Sequence, residues 1–103
     1  MLERNGIEAS RVDGRFDLIA VLPSGKMLRM EVKTANRNNR GSYQFLRGKS
    51  ECDYFALLNN EVMIVRMFPV HHPFIVGKRM IILHDRDFTE DAAAADMQAL
   101  LSL

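Results

Sequence analysis

Residues 27–33, Met-Leu-Arg-Met-Glu-Val-Lys, largely alternate apolar and charged side chains. That period of two is the mark of a half-buried strand, because successive side chains leave a β-strand on opposite faces. Leu28, Met30 and Val32 share one face, and Arg29, Glu31 and Lys33 the other, with Met27 at its start. A mostly apolar run, FDLIAVL over residues 16–22, precedes it. Between them Pro23-Ser24-Gly25-Lys26 has the composition of a tight turn. The two strands and the turn therefore predict an antiparallel hairpin.

The length of the turn decides what faces what. A four-residue turn over 23–26 pairs Leu22 with Met27, and sets Glu31 opposite Leu18 and Lys33 opposite Phe16. A shorter loop or a one-residue bulge moves Asp17 directly opposite Glu31. Asp17 and Glu31 fall within about one residue of register either way, and whether they share a face stays open. Glu31 and Lys33, two apart on one strand, share one.

Other elements follow from local signals. Residues 2–6 read as the last turn of a helix, with Gly6 at its C-terminal cap. Residues 7–12 read as a short extended piece, and residues 34–42 as a polar loop. YFALL (54–58) and VMIVRMF (62–68) predict two strands joined at Asn59-Asn60, and residues 80–83 a short fifth strand. Thr89 is a good N-cap, with Glu90 and Asp91 in the first turn of a helix running to the C-terminus. Ala93, Met97, Leu100 and Leu101 form its expected buried stripe. At 103 residues the whole is one domain, residues 1–103, with an α/β (mixed α+β) pattern.

Composition excludes several classes. The lone Cys52 rules out an internal disulfide and a cysteine-based zinc site of standard spacing, and suits a small packed residue. No apolar run approaches the roughly 20 residues that cross a bilayer, so no membrane partner is expected. The N-terminal residues lack a signal-peptide pattern, which implies a cytoplasmic, intracellular protein. The net charge of +1 hides an asymmetry: residues 1–50 carry +5 and residues 51–103 carry −4. A basic half suits a polyanion-facing surface, although a solvated basic face would read the same way.

The chemistry concentrates on the hairpin. Two carboxylates meeting on a strand pair repel unless a cation joins them. Mg2+ takes hard oxygen ligands and keeps several waters, so one or two carboxylates plus phosphate oxygens suit it. A nearby lysine could position a metal-bound water or stabilise charge at a phosphate.

Asp17, a turn, then Glu31-Val32-Lys33 resembles the PD-(D/E)xK nuclease superfamily, in particular its Holliday junction resolvase and intron homing endonuclease branches. The segments RVDGRFDLIAV, EVKT, CDYFALL and VMIVRMFP follow in the order those branches show, over roughly residues 7–68. The resemblance implies a restriction-endonuclease-like central mixed sheet flanked by helices, with the first helix truncated here to residues 1–5. It implies metal binding by Asp17 and Glu31, with the Val32 carbonyl as a further ligand, and Lys33 as the catalytic lysine. Mg2+ or Mn2+ is the implied cofactor, DNA the substrate, and a homodimer or higher homo-oligomer the assembly. The usual Pro before the first Asp is Phe16 here.

Arg37, Arg40, Gln44, Arg47 and Lys49 are candidate nucleic-acid contacts; Gln44 could also reach metal-bound water or a phosphate. Asp13 reads as a turn residue before Gly14. Tyr43 and Phe45 read as core, and the His71-His72 pair as loop. The alternative to a metal-dependent DNA endonuclease is a catalytically inactive nuclease-fold module that binds nucleic acid or another protein.

Overall fold

A computed structural model of the chain describes residues 2–11, 17–48 and 51–103. Asp13, Phe16 and Lys49 lie outside the described residues. Seven strands, β1 (Glu8–Arg11), β2 (Leu18–Val21), β3 (Met27–Ala35), β4 (Ser42–Leu46), β5 (Tyr54–Asn59), β6 (Ile64–Pro69) and β7 (Met80–His84), precede one helix, α1 (Glu90–Leu101). Five of them form a mixed sheet in the order β1-β2-β3-β5-β6, antiparallel except for the parallel β3–β5 pair. β4 and β7 pair with each other as a separate antiparallel ribbon.

The alternation along β3 assigns the layers. Leu28 and Met30 point into an apolar cluster with Ala20, Ala56 and Met67, over which Met97 and Leu100 of α1 pack. On the opposite face, Phe55, Leu57 and Phe68 meet Tyr43, Phe45, Ile81 and Leu83 from the β4–β7 ribbon, with Ala35 at the margin. One face of the sheet thus carries the helix and the other a two-stranded ribbon. β4 belongs to the connection between the parallel strands β3 and β5, so the crossover itself supplies half of this second layer.

Helix α1 starts where Thr89 Oγ1 accepts the Ala92 N–H at 3.1 Å, satisfying one of the orphan donors of the first turn. Met97 and Leu100 are its buried residues, whereas Ala93 and Leu101 are only partly covered. Asp96 fixes the helix to the edge strand: its Oδ2 accepts the Met67 N–H at 2.9 Å and Arg66 Nε at 2.6 Å. Arg66 also donates to the Asp87 carbonyl at 2.6 Å and lies over the Phe68 ring, 4.8 Å from its centroid. Beyond the reach of α1 the same sheet face opens as an apolar groove of about 370 Å³, lined by Ala9, Leu18, Val32, Ala56, Leu58 and Val65 among others.

At the N-terminus a single 3-10 turn, Glu3–Asn5, ends at Gly6 with φ +75°, as the capping signal predicts. Among the described residues no helix is long and apolar enough to cross a membrane.

Candidate active site

The loop between β2 and β3 is the shorter of the two expected. Leu22 N–H donates to the Lys26 carbonyl at 2.8 Å, and Gly25 N–H donates to the Leu22 carbonyl at 2.8 Å. Only Pro23, Ser24 and Gly25 lie outside that closure, with Gly25 at φ +90°, where a Cβ would be strained. Val21 therefore pairs with Met27 and Leu18 with Met30. One step further along that register, Asp17 lies beside Glu31.

The backbone bonds fix Asp17 there. Its N–H donates to the Met30 carbonyl at 3.1 Å, and its Oδ2 accepts the Val32 N–H at 2.9 Å. Asp17 thus brackets Glu31 from both sides along the neighbouring strand. Directly opposed residues of an antiparallel pair share a face, so Asp17 joins Glu31 and Lys33 on the face that carries the ribbon. Asp17 is exposed, and Glu31 and Lys33 are half-buried. The Lys33 ammonium rests against the chain just after β4, where a Cβ placed on Gly48 would lie 3.7 Å from Nζ. Gly48 has φ +67°, a backbone conformation that favours glycine.

Arg29, on the same face of β3, is clasped by Asp53 at the start of β5. Arg29 Nη2 donates to Oδ1 at 2.9 Å and Nε to Oδ2 at 3.2 Å, and the Arg29 N–H also donates to Oδ2 at 2.8 Å. The Arg29 guanidinium holds the Asp53 carboxyl below the usual carboxylate range, and Asp53 in turn raises Arg29. This fork ties the first residues of the parallel pair together beneath the carboxylates, and neither residue stood out in the sequence.

The remaining candidates divide. Arg37 reaches across to Asp85, Nε to Oδ2 at 3.3 Å, and its guanidinium packs over Gly41. Asp85 also accepts the Tyr43 hydroxyl at 2.8 Å. That hydroxyl, together with Arg37, lowers the Asp85 carboxyl, while burial and then Asp85 raise the Tyr43 phenol. Arg40 is exposed, its N–H donating to Asn38 Oδ1 at 2.9 Å. Gln44 is exposed on β4 opposite Ile82, and Arg47 N–H donates to the Arg79 carbonyl at 2.9 Å, one residue before Gly48 and Lys33. Asp85 was missed because its role depends on a partner 48 residues away.

The residues read as structural behave so. Tyr43 and Phe45 are buried in the ribbon-side core, and Cys52 is buried too. His72 stacks on Phe68 and Phe74 at ring separations of 4.9 and 5.1 Å, and its Nδ1 accepts the Phe74 N–H at 3.1 Å.

The donor set can be tested against a cation. Among the described residues no group of three or more His, Cys, Asp and Glu is placed to hold a metal. Two adjacent carboxylates suit Mg2+ or Mn2+, since such ions complete their shell with water and phosphate. Asp17 uses Oδ2 for the Val32 N–H, which leaves Oδ1 for a ligand. Even-numbered residues of β3 turn their polar backbone groups toward β2, and on that edge the Val32 N–H donates to Asp17 Oδ2. The Val32 carbonyl therefore opens onto the Asp17 side.

The chain superposes on a solved bacterial homing endonuclease, I-Ssp6803I, with a TM-score of 0.75 and 18% sequence identity, covering 98% of this chain and 80% of that one. At that identity the likeness is one of fold. No protein-family model matches the chain, and no curated protein does.

Proposed function

We propose that this chain is a metal-dependent DNA endonuclease of the PD-(D/E)xK type that hydrolyses phosphodiester bonds. The observation that carries the reading is the position of Asp17: hydrogen-bonded to Val32 N–H, beside Glu31, on the same sheet face as Lys33. The fold shared with a homing endonuclease supports it. Asp17 and Glu31, with the Val32 carbonyl, would hold Mg2+ or Mn2+. When bound, the ion supplies a Lewis acid at the scissile phosphate and lowers the pKa of water. Lys33 carries only donors; it aligns the attacking water and offsets charge that builds on the phosphate. Arg37, Arg40, Arg47 and Lys49, with Gln44, grip the DNA. Assembly as a homodimer or higher homo-oligomer belongs to the proposal, because duplex DNA has two strands to cut.

The test is conversion of supercoiled plasmid and of branched DNA, with Mg2+ or Mn2+, by the parent and by Glu31→Ala and Lys33→Ala. Each variant is expected to lose about 10²-fold or more in rate, the scale seen when one stabilising group is removed from such a site. EDTA is expected to abolish cutting. A folded parent that leaves both substrates intact under both metals overturns the reading in favour of an inactive nucleic-acid-binding or interaction module.

A further inference from the structure

The β4–β7 ribbon has one face in the core and one in solvent. Tyr43, Phe45, Ile81 and Leu83, on the inner face, are each 1% exposed. On the outer face Gln44 lies opposite Ile82, which is 51% exposed, and Leu46, 67% exposed, lies opposite Met80. Leu46 and Ile82 are diagonal neighbours on that face, so their exposed apolar surfaces adjoin. A polar side chain with both a donor and an acceptor sits between them.

Cations outnumber acids around this face. At the Leu46–Met80 end, Lys78 and Arg79 are exposed and Arg47 partly so, and Gly48 leads to Lys33. At the other end the acids are already engaged, Asp85 with Tyr43 and Arg37, and Asp87 with the His84 N–H at 2.8 Å. Exposed Arg40 and Arg86 lie beyond them. An apolar and amide-bearing stripe bordered by cations complements a nucleic acid groove, whose floor carries base edges and whose walls carry phosphates. It would repel a basic partner.

Dimensions agree. Two paired strands lie ~4.8 Å apart, and the major groove of B-DNA, ~12 Å wide, admits a two-stranded ribbon. Five residues of strand span ~17 Å, the length of about five base pairs at 3.4 Å each. Gln can bond the N6 and N7 edge of adenine in a bidentate pair, and apolar side chains pack on the thymine methyl.

We propose that β4–β7 is a DNA-reading ribbon that enters the major groove of duplex DNA. Gln44 reads an adenine edge, Leu46 and Ile82 contact thymine methyls, and Arg47 and Arg79 hold the flanking phosphates. The inference rests on the DNA-directed reading above and adds to it a recognition element and a base preference. The continuity of the ribbon with Gly48 ties the sequence read to the strand presented at Lys33.

The experiment separates recognition from cutting. Duplexes bound from a randomised pool in Ca2+ are sequenced for the parent, Gln44→Ala, Ile82→Thr and Leu46→Thr, and binding is titrated against salt. The substituted side chains are exposed, and thermal melting checks that each variant folds. Expected is an A·T preference at adjacent positions in the parent, reduced at least about fivefold by Gln44→Ala, as loss of a bidentate base contact predicts. Arg47→Ala and Arg79→Ala should instead weaken all duplexes alike and each lower the salt slope by about one. A parent that binds and cuts while Gln44→Ala, Ile82→Thr and Leu46→Thr keep its affinity and preference overturns the ribbon and leaves the nuclease standing. Ribbon-dependent binding without any cutting in Mg2+ or Mn2+ does the reverse. A folded parent that neither binds nor cuts duplex DNA overturns both.

Discussion

Asp96→Ala tests whether the helix and the two layers are held as the geometry implies. Its carboxylate accepts Arg66 Nε at 2.6 Å, Arg66 Nη2 at 3.4 Å and the Met67 N–H at 2.9 Å, with side chains only 13% and 14% exposed for Arg66 and Asp96. Truncation leaves Arg66 with the Asp87 carbonyl and the Phe68 ring, and it orphans an edge-strand N–H. Breaking a buried pair from one side costs about 3–5 kcal/mol, because the remaining charge is uncompensated. For a domain near 100 residues, at 4–8 °C per kcal/mol, that is a fall in Tm of at least about 12 °C. Urea unfolding followed by far-UV circular dichroism measures it, in a cycle with Arg66→Met and the Arg66→Met/Asp96→Leu double variant. The expected coupling is above about 1.5 kcal/mol. A cost under about 1 kcal/mol for Asp96→Ala, or a coupling near zero, would falsify the clasp and with it the docking of α1.

Asp17→Asn keeps an acceptor for the Val32 N–H but removes the charge, so it should lower stability by under about 1 kcal/mol while cutting falls about 10²-fold or more; cleavage within tenfold of the parent would sink the metal role of Asp17. Asp53 is held below its unfolded value by Arg29, so its contribution is present above the ordinary carboxylate range of about 4 and is lost as pH falls through the depressed value. Urea midpoints between pH 5 and 2 should fall less steeply in Asp53→Asn than in the parent, by a small margin because the pair is partly exposed; identical slopes would count against the fork. Tyr43, raised by burial and Asp85, works at the other extreme, its stability lost as pH climbs above about 10; a parent midpoint unchanged across pH 9–11.5 would contradict that. Gly41→Ala places a Cβ on a residue at φ +75°, and should cost about 1–2 kcal/mol in urea unfolding; no loss would mean that residue 41 is not left-handed.

The hairpin was legible because its signals are local: alternation over residues 27–33, a Pro-Ser-Gly loop and an apolar strand before it. Its register was not, since one residue of loop length decides whether Asp17 meets Glu31, and composition alone does not set that length. β3 also runs to Ala35, past the alternation, because its last residues pair in parallel with Leu58 and Asn59. Parallel pairing leaves no turn signal in the sequence, and the β4–β7 ladder joins segments more than thirty residues apart. Residues 42–46, which carry no clear strand signal of their own, form β4 through that distant partner. Ala93 lines an open groove between α1 and β6, and Leu101 packs only at the margin of the helix-side core, so neither is fully buried. Glu31 and Lys33 were found from spacing on one strand; Gly48, which abuts the Lys33 ammonium, carried no such mark.

β4 has one ladder partner, and that partner is made late. During synthesis β3 and β4 leave the ribosome well before Met80–His84, and at 5–20 residues per second the gap lasts on the order of seconds. Over that interval β4 lacks its ladder partner, and the Arg47 N–H has no Arg79 carbonyl to fasten the turn at Gly48 beside Lys33. The carboxylates are therefore translated early, but their surroundings assemble near the end of synthesis. A polypeptide stopped short of β7 keeps Asp17, Glu31 and Lys33 without the paired β4–β7 ribbon beside them.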